Sequence, residues 1–150
     1  MFYFAYGSCM NTEDLNRTVT AQRIGAASLR HYEFGYRAYG RSRNGGVADI
    51  FPSEGNSVEG VLFLVPGTSQ LDAREGHPDF YRRIEVVVRR EDTNENVEAF
   101  TYTVVNKSKI DIAPSEYYAG LIFEGAEILS PAYQNSIRKL TSRLLHKRDI

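Results

Sequence analysis

The stretch from Tyr81 to Val105 reads as a β-hairpin, and it limits the fold of this chain more than any other segment. Between Tyr81 and Arg90 the apolar residues Ile84, Val86 and Val88 recur at every second position and so share one face of a strand. Thr93-Asn94-Glu95-Asn96 has the composition of a turn, and Val97 to Val105 returns as the partner strand. Further strands are expected before the hairpin. Phe2 to Tyr6 reads as a buried strand ending at Gly7, and Gln22 to Tyr39 is rich in β-formers and is expected to hold two strands. Val47 to Phe51 forms another, closed by Pro52, and the strongly apolar Val58 to Val65 suits a central strand.

Helical patterns are short at first and dominate only at the end. Asn11 to Arg17 makes a short helix with Asn11 or Thr12 as cap. Thr68 to Glu75 makes another, stopped by Gly76. Ser115 to Glu127 is a longer one. Ser130-Pro131 then opens a last helix, with Tyr133, Ile137, Leu140 and Leu144 on one stripe. Strands first and helices last argue for an α+β fold with a mostly antiparallel sheet. There are enough strands for the sheet to curl into a barrel, although periodicity alone does not say whether it closes.

A chain of 150 residues is read as one domain, 1–150. At that length folding buries roughly 68–70% of the surface of the unfolded chain, so no metal or disulfide is needed for stability. Cys9 is the only cysteine, which excludes an internal disulfide and suits a reducing compartment. A net charge of −1 leaves no electrostatic footprint for nucleic acid. The apolar start, Met1 to Ala5, is short and lacks a basic flank, so neither a signal peptide nor a membrane span is expected. The triplets Asn16-Arg17-Thr18 and Asn106-Lys107-Ser108 are read as chance matches to a glycosylation signal. The expected protein is soluble and cytoplasmic.

Three places could carry chemistry. In Tyr6-Gly7-Ser8-Cys9-Met10 a strand ends at a glycine and a helix start follows, leaving N–H groups that can hold a carboxylate or carbonyl oxygen. A plain strand–turn–helix connection accounts for the same spacing. Glu75 stands in the last turn of its helix, where the dipole disfavours a carboxylate by roughly 0.3–1 kcal/mol. That placement would raise its pKa and suit a general acid/base, but a solvated surface glutamate fits the same pattern. Cys9 would need a base to act as a nucleophile, and nothing in the spacing of His31, His77 and His146 supplies one. The histidines are too scattered to suggest a metal site. Arg37, Arg41, Arg43, Arg82, Arg83, Arg89 and Arg90 are read mainly as solvated edges and faces, with contact to an anionic substrate as the lesser alternative.

Several segments together resemble the γ-glutamylcyclotransferase family. They are Phe4-Ala5-Tyr6-Gly7-Ser8, Gly45 to Pro52, Val58 to Phe63, Leu71-Asp72-Ala73-Arg74-Glu75-Gly76-His77-Pro78 with Tyr81-Arg82, Ala99 to Tyr102, and Pro114 to Tyr118. They occur in the family's order from Phe2 to about Ile137. The resemblance implies a small, mixed but mostly antiparallel β-barrel with flanking and C-terminal helices. It implies a substrate pocket floored by Tyr6, Gly7, Ser8, Cys9 and Met10, lined by Tyr81, Tyr102 and Tyr118, with Glu75 as catalytic acid/base. It also implies a small-molecule γ-glutamyl substrate, no metal or cofactor, and 5-oxoproline as product. Cys9 departs from the asparagine usual at that position, so a side-chain amide contact would be lost while backbone contacts remain. Two other readings stay open here: a hydrolase or acyl transferase with Cys9 as nucleophile, and a non-catalytic binding module on the same scaffold. The leaving amine and the oligomeric state are not legible.

Overall fold

In the computed structural model, which describes residues 1–149, five strands close into a barrel in the order β1-β3-β2-β4-β5. The strands are β1 (Phe2–Ala5), β2 (Gln22–Gly40), β3 (Gly45–Leu64), β4 (Tyr81–Arg90) and β5 (Asn96–Val104). The helices are α1 (Thr12–Asn16), α2 (Ser69–Glu75), α3 (Glu116–Gly125) and α4 (Pro131–Asp149), with single 3-10 turns at Ser8–Met10 and Ala126–Ile128. The mixed character comes from one seam. β1 pairs antiparallel with β3, with Phe4 opposite Leu62, but parallel with β5 at Tyr3 and Phe100. The hairpin read from the sequence is β4–β5, with Ile84 opposite Thr101 and Val86 opposite Ala99.

The region before the hairpin is simpler in connection than expected. Gln22 to Tyr39 holds one strand, not two, and the expected separate strands at Val47 and Val58 are one strand of 20 residues. β-bulges replace the expected breaks. The pairing of β2 with β3 jumps from Arg30–Ser57 to Tyr32–Pro52, and residues 53–56 loop out around His31 and Gly55, both at positive φ. Pro52 is tolerated because its missing N–H falls at this irregularity rather than inside a regular ladder.

The core contains Phe4, Leu15, Ile50, Val58, Val61, Leu62, Phe63, Leu71 and Ile122, all fully buried. α4 packs onto it through buried Ile137, with Tyr133, Leu140 and Leu144 partly covered, as the stripe required. Ser130 caps that helix by accepting from the Tyr133 N–H at 3.2 Å. Gly46 explains a second link. A Cβ there would stand 1.9 Å from the Ile112 carbonyl oxygen, so only glycine admits the segment leading into α3. No helix among the described residues is long and apolar enough to cross a membrane.

Candidate active site

A cavity of about 740 Å³ opens where the end of β1, α2, the β2–β3 turn and the start of α3 meet. That volume is within the range of small-molecule sites. Tyr6, Gly7, Ser8, Cys9, Glu75, Tyr81, Tyr102 and Tyr118 all line it. Met10 does not. It is buried against Gly125, because the 3-10 turn at Ser8–Met10 rotates its side chain into the core.

Gly7 is required by close packing. A Cβ there would lie 2.8 Å from that of Ala48. The turn that follows closes on itself as the Met10 N–H donates to the Gly7 carbonyl at 3.0 Å. The first N–H groups of such a turn, those of Ser8 and Cys9, have no acceptor within it. Asn11 then caps α1, its side chain accepting from the Asp14 N–H at 3.0 Å.

Glu75 is the last residue of α2, and Gly76 ends that helix in the left-handed conformation at φ 69°. The helix is fastened on both sides. Tyr102 donates its hydroxyl to Asp72 at 2.6 Å, and Arg83 also pairs with Asp72. On the other side, Arg74 donates to the Asp14 carboxylate at 2.5 Å and to the Thr18 hydroxyl at 3.0 Å. The Glu75 carboxyl is raised above its ordinary pKa chiefly by burial, while the Arg74 charge pulls it back. Burial is thus the leading cause of the raised value at this residue.

Cys9 faces Glu75 directly, with Sγ 3.8 Å from Oε1 in donor geometry. Burial and then the Glu75 charge push its thiol up to about 12, so it stays protonated near neutral pH. The tyrosines divide into two kinds. Tyr6 donates to the Tyr102 carbonyl at 2.6 Å, and Tyr81 donates to the Ala48 carbonyl. Their hydroxyl protons are already used. Tyr118 instead accepts from the Ala48 N–H at 3.0 Å, which frees its own proton to point at a ligand. Burial raises all three well above the usual phenol range.

Several lining residues are not evident from sequence spacing. Arg43 pairs with Asp14 at 3.4 Å and lies over the Tyr118 ring, 5.3 Å from its centroid. Arg41 also lines the cavity, as do Tyr3, Asp14, Arg17 and Arg74. The adjacency of Arg74 to Glu75 was a visible signal. The position of Asp14 beneath both Arg74 and Arg43 was not, because it depends on three separate elements meeting.

Known proteins share the sequence and fold of this chain. Residues 3–120 match the family model described as "Gamma-glutamyl cyclotransferase, AIG2-like". Gamma-glutamylcyclotransferase of Bos taurus is 32% identical over 133 residues, which is 83% of this chain and 69% of the bovine one. A solved structure of "Gamma-glutamyl cyclotransferase" superposes with a TM-score of 0.83 at 28% identity, over 92% of this chain and 86% of that one. The crystal structure of YkqA from Bacillus subtilis superposes with a TM-score of 0.80 at 29% identity, over 95% of this chain. This chain spans only 54% of YkqA. The closed barrel, the cavity and the matched residues lead to one conclusion: the chain belongs to the gamma-glutamyl cyclotransferase, AIG2-like family.

Proposed function

We propose that this protein cleaves a γ-glutamyl amide by cyclisation, releasing 5-oxoproline and a free amine or amino acid. The observation that carries this reading is Glu75, a carboxyl raised by burial inside the cavity and facing the turn at Gly7–Cys9. The α-amine of the substrate attacks its own γ-carbonyl carbon, forming the ring C–N bond. The original amide C–N bond then breaks. Glu75 takes a proton from the α-ammonium and gives it to the leaving nitrogen. The second proton that the attacking nitrogen sheds on becoming the ring amide follows to the released amine, so no net proton is consumed. A carboxylate with a raised pKa suits both halves of that transfer, which is typically worth about 10²–10⁴ in rate.

Binding the extended γ-glutamyl chain in a folded, attack-ready shape supplies the remainder of the acceleration. The Ser8 and Cys9 N–H groups, without acceptors in their turn, would hold the substrate's α-carboxylate or the developing oxyanion. Tyr118 is the hydroxyl with a proton to give, whereas Tyr6 and Tyr81 offer lone pairs only. Tyr102 contributes its ring, since its hydroxyl serves Asp72. The lone buried thiol suits a reducing compartment, and we expect the reaction in the cytoplasm.

The product is the direct test. A turned-over substrate in ¹⁸O-water is expected to give unlabelled 5-oxoproline, read by mass spectrometry, because no external water enters the bond. Labelled glutamate as first product would replace this reading with hydrolysis.

Cys9 has a subordinate role, since a thiol held protonated is a poor nucleophile. Cys9→Ala is expected to keep kcat within about tenfold of the parent, the worth of one hydrogen bond. Cys9→Asn is expected to match or exceed the parent. Complete loss of turnover in both variants, with unchanged circular dichroism, would restore Cys9 as the nucleophile.

A further inference from the structure

The cavity holds more positive charge than a γ-glutamyl group can use. Four guanidiniums line it, those of Arg17, Arg41, Arg43 and Arg74, against the two carboxylates of Asp14 and Glu75. Asp14 is shared by three of the four, at 2.5 Å to Arg74, 3.4 Å to Arg43 and 3.8 Å to Arg17. None of the ion pairs among the described residues includes Arg41, which is exposed at the mouth. With Glu75 ionised, two positive charges remain in excess. A γ-glutamyl group enters with its α-ammonium and α-carboxylate in balance, and passing the ammonium proton to Glu75 leaves the total unchanged. At least one guanidinium is then left facing whatever is attached beyond the γ-carbonyl.

Arg41 and Arg43 both belong to the turn between β2 and β3, an element separate from the one that carries Glu75. Arg43 is preset over the Tyr118 ring rather than free in solvent. A guanidinium offers a planar fork that matches a carboxylate, and charges at a rim select between ligands more than they add affinity.

We infer that Arg41 and Arg43 read the leaving group, and that the preferred substrates are γ-glutamyl amides whose amine part carries negative charge, such as an acidic amino acid or an acidic peptide end. Amides of cationic amines are poor substrates. This rests on the cyclotransferase reading above and narrows it.

Three amides with the same glutamyl part test it: γ-glutamyl-glutamate, γ-glutamyl-ethylamide and γ-glutamyl-putrescine. The expected kcat/KM falls in that order. The first two differ by about tenfold, since an exposed ion pair contributes up to about fivefold and two are in play. The gap narrows in ~0.5 M salt as the charges are screened. In R41Q/R43Q it shrinks to about twofold, and in R41Q, a change at an exposed residue that spares the Arg43 pairing, to about half its logarithm. Equal turnover of the glutamate and putrescine amides, or an unaltered gap in the double variant, overturns the inference. Release of 5-oxoproline from none of the three would instead end the cyclotransferase reading. Affinities of the E75Q protein for the same amides then decide the charge preference by themselves: the same order upholds the anion-selecting turn, and no order overturns it.

Discussion

Glu75→Gln is expected to fold, to bind a γ-glutamyl amide and to lose at least about 10² in kcat, the lower end of what a positioned acid/base group supplies. Glutamine keeps the size of the side chain and has nearly the same helix propensity, so α2 and its Gly76 stop are preserved. Only the titrating proton is lost. Stability gives an independent readout of the same group. The folded-state pKa of Glu75 lies above its ordinary value of 4.5. The folded chain therefore holds this proton more tightly than the unfolded chain, and stability falls as pH rises through that window. The contribution is complete below the ordinary carboxylate pKa and is lost as pH passes the raised folded value. Melting curves of parent and Glu75→Gln should thus diverge with increasing pH, the glutamine protein gaining relative to the parent until both level off. The parent's kcat/KM should fall on the acid side of the same raised value, because the first step needs the carboxylate. A folded, ligand-binding variant with near-parent kcat would remove Glu75 from the mechanism, whatever the melting curves show.

Local patterns were legible where one segment determines its own structure. The alternation at Ile84, Val86 and Val88 set the β4–β5 register, and Gly76 marked the end of α2 because a left-handed residue there has no side-chain cost. Asn11, Ser115 and Ser130 cap the helices they precede. Pro52 misled because proline signals a strand end unless a bulge absorbs it, and the bulge at residues 53–56 depends on the partner strand. The same distinction separates the site residues. Glu75, Gly7 and the tyrosines lie in short recognisable strings. Met10 belongs to such a string too, yet points into the core, since a 3-10 turn sends successive side chains in different directions. The arginines were read as surface charges because nothing within Arg37 to Arg43 announces a partner. The partner of Arg43, Asp14, comes from α1 and also pairs with Arg74 of α2, and only the closed barrel brings α1, α2 and the β2–β3 turn together.

That junction predicts the largest structural effect. Asp14→Asn is expected to lower stability by about 3 kcal/mol, the scale of breaking a buried ion pair by removing one partner. For a chain of this length the loss corresponds to a fall in Tm of about 6–12 °C. The magnitude follows from burial: the Asp14 side chain is 5% exposed, and that of Arg74 is 15% exposed. Asparagine retains the shape and the Asn11 cap, which uses the backbone N–H of residue 14, so α1 is not itself disrupted. The charge alone is removed, leaving Arg74 and Arg43 without the carboxylate they share. Glu75 is the other carboxylate lining the cavity, and both arginines already draw its pKa down while the Asp14 charge raises it. Losing Asp14 acts on Glu75 in one direction, downward. The acid limb of the kcat/KM profile should therefore move to lower pH in Asp14→Asn, together with the fall in Tm. A merely structural role for Asp14 would lower Tm and leave that limb in place. A variant with parental Tm and an unmoved acid limb would show that the three arginines do not depend on Asp14, and that the electrostatic setting of Glu75 is made elsewhere.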